Sequence, residues 1–115
     1  MKDQLFLLSP GFADDAGHGP FYCGDSVSVE GLLSFFPALR EKIAVTYIGF
    51  QKPRAAVVDA IGEENQSIPV LILAGPERSD ESLFNVKSAA GNRFINSETD
   101  IRRYLSNRHG VATAK

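Results

Sequence analysis

Hydrophobic positions change period several times along this chain, and each change marks an element. Leu5 to Leu8 is an unbroken apolar run closed by Ser9-Pro10-Gly11, the pattern of a strand buried on both faces and stopped by turn chemistry. Residues 9–20, punctuated by Pro10, Gly11, Gly17, Gly19 and Pro20, read as a loop that is long for a strand-to-helix link. Val29, Leu32, Leu33 and Phe36 then fall at i, i+3, i+4 and i+7, one face of a helix that Pro37 ends or restarts. Gly31 in its middle points to close packing.

The β-branched and aromatic run from Ile43 to Phe50 predicts a second strand. Pro53 suits the first turn of a helix over Ala55 to Ile61, with Gly62 at its C-terminal stop. Ile68-Pro69-Val70-Leu71-Ile72-Leu73 is a strand led by its proline. From Ala74 to Asn92 no period holds, and the stretch reads as a loop or hairpin insertion adding little to the sheet. Arg93-Phe94-Ile95 is a short last strand, and Ser97-Glu98-Thr99-Asp100 has the capping-box form that opens a final helix through Ile101, Tyr104 and Leu105 to Gly110. The expectation is a four-stranded mixed sheet flanked by helices, an α/β fold in one domain over residues 1–115.

Composition narrows the function classes. Lysine and arginine total 12 against 14 aspartates and glutamates, a net charge of −2, so no basic surplus exists to neutralise a run of nucleic-acid phosphates or an anionic membrane. No apolar run approaches the ~18 residues of a membrane span. The apolar stretch after Met1-Lys2-Asp3-Gln4 is too short for a signal peptide. A lone cysteine forms no internal disulfide, and these features together lead us to expect a cytoplasmic protein.

That cysteine stands at the start of the first predicted helix, in Phe21-Tyr22-Cys23-Gly24-Asp25-Ser26. Unpaired N–H groups and the positive end of the helix dipole favour a thiolate there, whereas the Asp25 carboxylate opposes one. A small buried hydrophobe is the alternative reading for Cys23. Tyr22 either presents its hydroxyl to the thiol or packs between loop and helix. Lys52 and Arg54 either hold a carboxylate or form a solvated basic turn. Asp14, Asp15 and His18 lie on a glycine-rich loop too pliant to fix a metal, so no metal site is assigned.

The order of elements, with Cys23-Gly24-Asp25-Ser26 as a CxxS motif, Ser67-Ile68-Pro69 as a cis-proline motif and the closing Ile101-Arg102-Arg103-Tyr104-Leu105, resembles the thioredoxin fold over most of the chain. Phe21-Tyr22-Cys23, Val29-Glu30-Gly31, residues 62–67 and Arg108-His109-Gly110 look like a small bacterial family of thioredoxin-like proteins of unknown function. Residues 23–26 are also similar to the CGFS signature of monothiol glutaredoxins, with Asp25 in place of the phenylalanine. Residues 96–105 are similar to the end of a glutathione transferase N-terminal domain, with Ser97-Glu98 in reversed order.

These resemblances imply a monomer or weak homodimer that binds glutathione, or a protein or peptide thiol, beside Cys23. They imply Cys23 and Ser26 as the catalytic pair, Ser26 standing where a dithiol enzyme has its second sulfur. Tyr22, Arg54, Ile68, Pro69, Ser97 and Glu98 are the implied substrate contacts. The competing expectation is a non-enzymatic scaffold for protein–protein interaction.

Overall fold

A computed structural model describes residues 1–115. The chain runs β1 (Gln4–Leu8), α1 (Gly24–Phe35), a short α2 (Leu39–Lys42), β2 (Ala44–Ile48), α3 (Ala55–Ile61), β3 (Val70–Leu73), a 3-10 turn (Glu81–Phe84), β4 (Lys87–Ala89), β5 (Asn92–Ile95) and α4 (Glu98–His109). The strands form one mixed sheet in the order β2-β1-β3-β5-β4. β1 pairs parallel with β2 and antiparallel with β3, and β5 pairs antiparallel with β3 and β4.

Both sheet faces are covered, which is why β1 and β3 read as unbroken apolar runs. Leu5 and Leu7 of β1 and Leu71 and Leu73 of β3 point into a larger core with Val29, Leu33, Ile101 and Leu105 from α1 and α4. Phe6, Val70 and Ile72 point the other way and pack with Val57 and Ile61 of α3 and Phe94 of β5. Alternation along a strand is thus hidden in the sequence because both sides are apolar. No helix is long and apolar enough to cross a membrane.

The sheet has five strands rather than four, and the fifth comes from the segment expected to add little. Ala90 and Gly91, with φ of 52° and 79°, link β4 to β5 as a two-residue turn of the kind that matches strand twist. β4 is mostly exposed and carries no apolar alternation, so periodicity could not mark it. The same segment sends Phe84 into the larger core, edge-on to Tyr104 at 5.4 Å between ring centroids. It also buries Glu81, whose two oxygens take Nε and Nη2 of Arg93 at 2.7 and 2.9 Å.

Gly31 departs from expectation as well. A Cβ there would meet nothing within 4 Å. It faces an open groove of about 490 Å³ between α1, α4 and the C-terminal residues, not a packed neighbour.

Candidate functional site around Cys23

β1 ends and α1 begins at the same place, and one hydrogen bond fixes them together. Ser26, 4% exposed, accepts the Leu8 N–H on Oγ at 3.1 Å. Its hydroxyl oxygen thus serves the strand rather than the helix's own first turn. Ser26 therefore sets where the helix start sits above the sheet.

Cys23 is the N-cap of α1, in extended conformation, and its Sγ accepts the Ser26 N–H at 3.4 Å. The cap position normally goes to an oxygen-bearing side chain, and here sulfur meets one of the orphan N–H groups of the helix end. The sulfur also approaches the carbonyl oxygen of Ile68 to 3.9 Å, close enough for a weak S–H donation. Cys23 is partly buried, between the two alternatives open from the sequence.

Ile68 precedes Pro69 across a cis peptide bond; Gly19-Pro20 and Lys52-Pro53 are cis as well. Ile68 makes no backbone–backbone hydrogen bond, and its carbonyl oxygen has only the sulfur contact. That cleft measures about 700 Å³ and is polar, with Asp25, Lys52, Arg54, Ser67 and Asn96 among its walls beside Ile68 and Pro69.

Arg54 has a structural duty here. Its Nε and Nη2 donate to the Phe50 carbonyl at 3.1 and 2.6 Å, and Nη1 donates to the Gln66 carbonyl at 2.7 Å. The guanidinium thereby ties the chain before α3 to the chain after it and lies 5.6 Å from the Phe50 ring centroid. Burial lowers its pKa from the ordinary arginine value, and the Cys23 sulfur acts in the opposite direction, which puts the two groups in electrostatic reach.

Cys23 itself lines a different, smaller and mostly apolar pocket of about 270 Å³, with Leu7, Leu8, Tyr22, Val27 and Tyr47. Tyr22 borders this pocket and is otherwise well exposed. At the pocket's wall the Tyr47 hydroxyl donates to Glu30 at 2.5 Å, and Arg40 donates to both Tyr47 and Glu30. The Glu30 hydrogen bond, then burial, raises the Tyr47 pKa above its ordinary value.

The 9–20 loop folds back as a bridge between Phe12 and Phe21, and Phe12 stacks on Phe50 at 4.5 Å. Gly19, at φ 143°, lets the two segments touch, since a Cβ would lie 2.8 Å from the Phe12 carbonyl oxygen. His18 is well exposed and hydrogen-bonds through its backbone N–H to Asp14.

Of the residues singled out from the sequence, the fold gathers Tyr22, Cys23, Ser26, Arg54, Ile68 and Pro69 around two adjoining clefts. It puts Ser97 and Glu98 in neither. Ser97 Oγ caps α4 by accepting the Asp100 N–H at 3.4 Å, and Glu98 pairs with Arg102 at 2.9 Å. Their neighbour Asn96 lines the polar cleft instead, and with Glu30 and Tyr47 it was missed. Asn96 follows the last residue of β5, so only the strand's end could have flagged it.

The family model described as "Protein of unknown function (DUF3088)" matches residues 2–113, and the chain belongs to that family. No curated protein and no solved structure matches it.

Proposed function

We propose that the chain is a thioredoxin-like protein that lays glutathione, or an extended cysteine-bearing peptide, along Ile68 and exchanges thiols through Cys23. The observation that carries this reading is the 3.9 Å approach of the helix-capping sulfur to the Ile68 carbonyl oxygen at the rim of a polar cleft. An extended peptide in that cleft would find the unpaired backbone groups of Ile68 as strand-like partners. Lys52, and the donors of Arg54 left over from Phe50 and Gln66, suit a carboxylate. The parallel β1–β2 and antiparallel β1–β3 pairings, with α1 entering after β1, support the thioredoxin resemblance.

The exchange runs in two displacements. The Cys23 thiolate attacks the glutathione sulfur of a protein–glutathione mixed disulfide, the old S–S bond breaks, and the protein thiolate leaves with the electron pair. A free glutathione thiolate then attacks the glutathione sulfur now bound to Cys23. This restores the Cys23 thiolate and releases glutathione disulfide, so the net exchange consumes one free glutathione thiolate, which is oxidised to the disulfide with the glutathionyl group taken from the substrate, while the substrate sulfur leaves as a thiolate. Position 26 has no sulfur, so the second thiol must come from outside the chain.

Incubation with glutathione disulfide followed by intact-mass measurement tests the reading. One glutathionyl adduct is expected on the parent and none on Cys23→Ser. The adduct should form faster than with a small disulfide lacking peptide groups. Equal rates after correction for intrinsic reactivity would remove the cleft from the chemistry, and no adduct would remove the exchange.

A scaffold role is the second reading, and a specific observation favours it: Val27 and Phe35, the latter 83% exposed, stand on α1 at the apolar groove shared with α4. Slow alkylation of Cys23 near neutral pH would favour the scaffold; fast alkylation favours exchange.

A further inference from the structure

We infer that a pocket at the far end of the sheet from Cys23 binds a phosphate-bearing small molecule, through Lys42, Arg78 and Arg108 with the Tyr104 hydroxyl. The location follows from strand register. Gln4 pairs with Ile72, so the beginning of β1 and the end of β3 lie together, whereas Cys23 sits over the end of β1 and before the start of β3. At the Asp3 and Ala74 end is a cavity of about 390 Å³, walled by side chains from α2, from the segment after β3 and from α4. That volume is in the ~300–1,000 Å³ range of small-ligand sites and exceeds what a bare phosphate fills.

Charge in the pocket is unevenly matched. Lys2, Lys42 and Arg108 make no ion pair, and Arg78 has only a 3.8 Å contact with Asp80. The two acids in the wall are occupied. Glu81 is held by both Arg93 donors and by the Arg78 N–H, and Asp3 Oδ1 accepts the Ala74 N–H at 2.7 Å. Basic residues in the last turn of α4 suit the negative end of its dipole, which accounts for Arg108 and His109 alone. It does not account for Lys42 and Arg78, which arrive from other segments.

Tyr104 is the independent sign of a ligand. The residue is 5% exposed and lines the cavity, and its hydroxyl makes no hydrogen bond within the chain and is not sealed from solvent. A tyrosine ring buried to this extent ordinarily bonds its hydroxyl to protein or to water, and here the partner has to come from the cavity. Asp3, Arg108, Glu81 and Arg78, whose charges act on it, share the cavity wall with it. Burial comes first in raising its pKa, so the phenol keeps its proton and is a donor for a phosphate oxygen. His109 lines the same cavity, and its Nε2 is shut from solvent without a partner. Burial, then the positive charges of Lys42 and Arg108, lower the His109 pKa, with Asp3 acting the other way. An arginine fork, a lysine point charge and a phenol donor make a set suited to phosphate oxygens.

Titration of the full chain with inorganic pyrophosphate at low ionic strength, followed by calorimetry and amide NMR, tests the site. Saturable one-to-one binding is expected, with shifts concentrated at Lys42, Arg78, Tyr104 and Arg108. Lys42→Gln and Arg108→Gln, both on exposed side chains, should each weaken binding about ten-fold, the factor for one lost charge-assisted hydrogen bond. Tyr104→Phe keeps the ring against Phe84 and should weaken it roughly three-fold. Lys52→Gln and Cys23→Ser, at the other end of the sheet, should bind as the parent does, which separates this site from the proposed exchange. The inference is overturned by no saturation up to about 10 mM pyrophosphate, by unchanged affinity in the Lys42, Arg108 and Tyr104 variants, or by a loss in Lys52→Gln that would move the anion to the other cleft.

Discussion

Replacing Ser26 with alanine takes one oxygen from the junction of β1 and α1 and leaves the Leu8 N–H without its acceptor. The bond is 3.1 Å long, Ser26 is 4% exposed and Leu8 is 8% exposed, so the freed donor lies in a nearly dry place. Stranding a buried N–H costs about 1–3 kcal/mol, more than the net value of an ordinary protein hydrogen bond. The apolar pocket beside Cys23 opens on both residues, and a water entering it would reach the donor. We therefore expect the lower part of that range, about 1–2 kcal/mol.

Urea unfolding followed by circular dichroism should show a lower midpoint with an unchanged slope, since the surface exposed on unfolding hardly differs. The Leu8 amide should lose hydrogen-exchange protection beyond the global change. The proposed adduct at Cys23 should form at the parent's rate, because the Ser26 N–H that meets its sulfur is backbone and survives the substitution. A destabilisation under about 0.5 kcal/mol with the Leu8 amide still protected would refute the reasoning, because the Ser26 oxygen would then be a bystander.

Arg93→Met should cost about 3 kcal/mol at neutral pH, as it leaves the Glu81 carboxylate buried and unpaired. Burial pushes the Glu81 pKa up, but the hydrogen bonds from Arg93 and the Arg78 N–H outweigh it and hold the group below its ordinary 4.5. A folded pKa below the unfolded one gives stability that is complete above about pH 4.5 and lost as pH falls through the folded value, so the parent's acid unfolding should be steeper than that of Arg93→Met. Gly31→Ala should gain about 0.5–1 kcal/mol in thermal or urea unfolding, because the new methyl meets nothing within 4 Å and the helix loses its most flexible residue. A loss of stability there would mean that the α1–α4 groove is closed in solution.

Most elements were legible because their signals are local. β1 and β3 announced themselves as apolar runs, α1 by its i, i+3, i+4 spacing, α3 by the Gly62 that ends it, although Pro53 lies ahead of its Arg54 cap and not in its first turn, and α4 by its Ser97 cap. β4 was not, since a three-residue strand is defined by what it pairs with, and Lys87-Ser88-Ala89 pairs because Ala90-Gly91 turns it onto β5. The site divides along the same line. Cys23 at a helix start is a statement about sequence neighbours, and so is Pro69 at a strand start. Ser26 reaching back to Leu8, Arg54 bracing Phe50 and Gln66, and Tyr104 sharing a cavity wall with Arg78 depend on pairings across the fold that no local pattern carries.

The β4–β5 hairpin also decides where the sheet stops. Without it the border strand would be β5, whose Phe94 and Ile95 are buried and whose backbone would offer a second chain somewhere to add a strand of its own. β4 takes over that border with three residues, a lysine first, and only Ala89 even partly buried. A border so short and polar gives a fibril or a sheet-to-sheet dimer little to grow from. On that side, self-association through backbone pairing is discouraged by the segment whose sequence had seemed to contribute least.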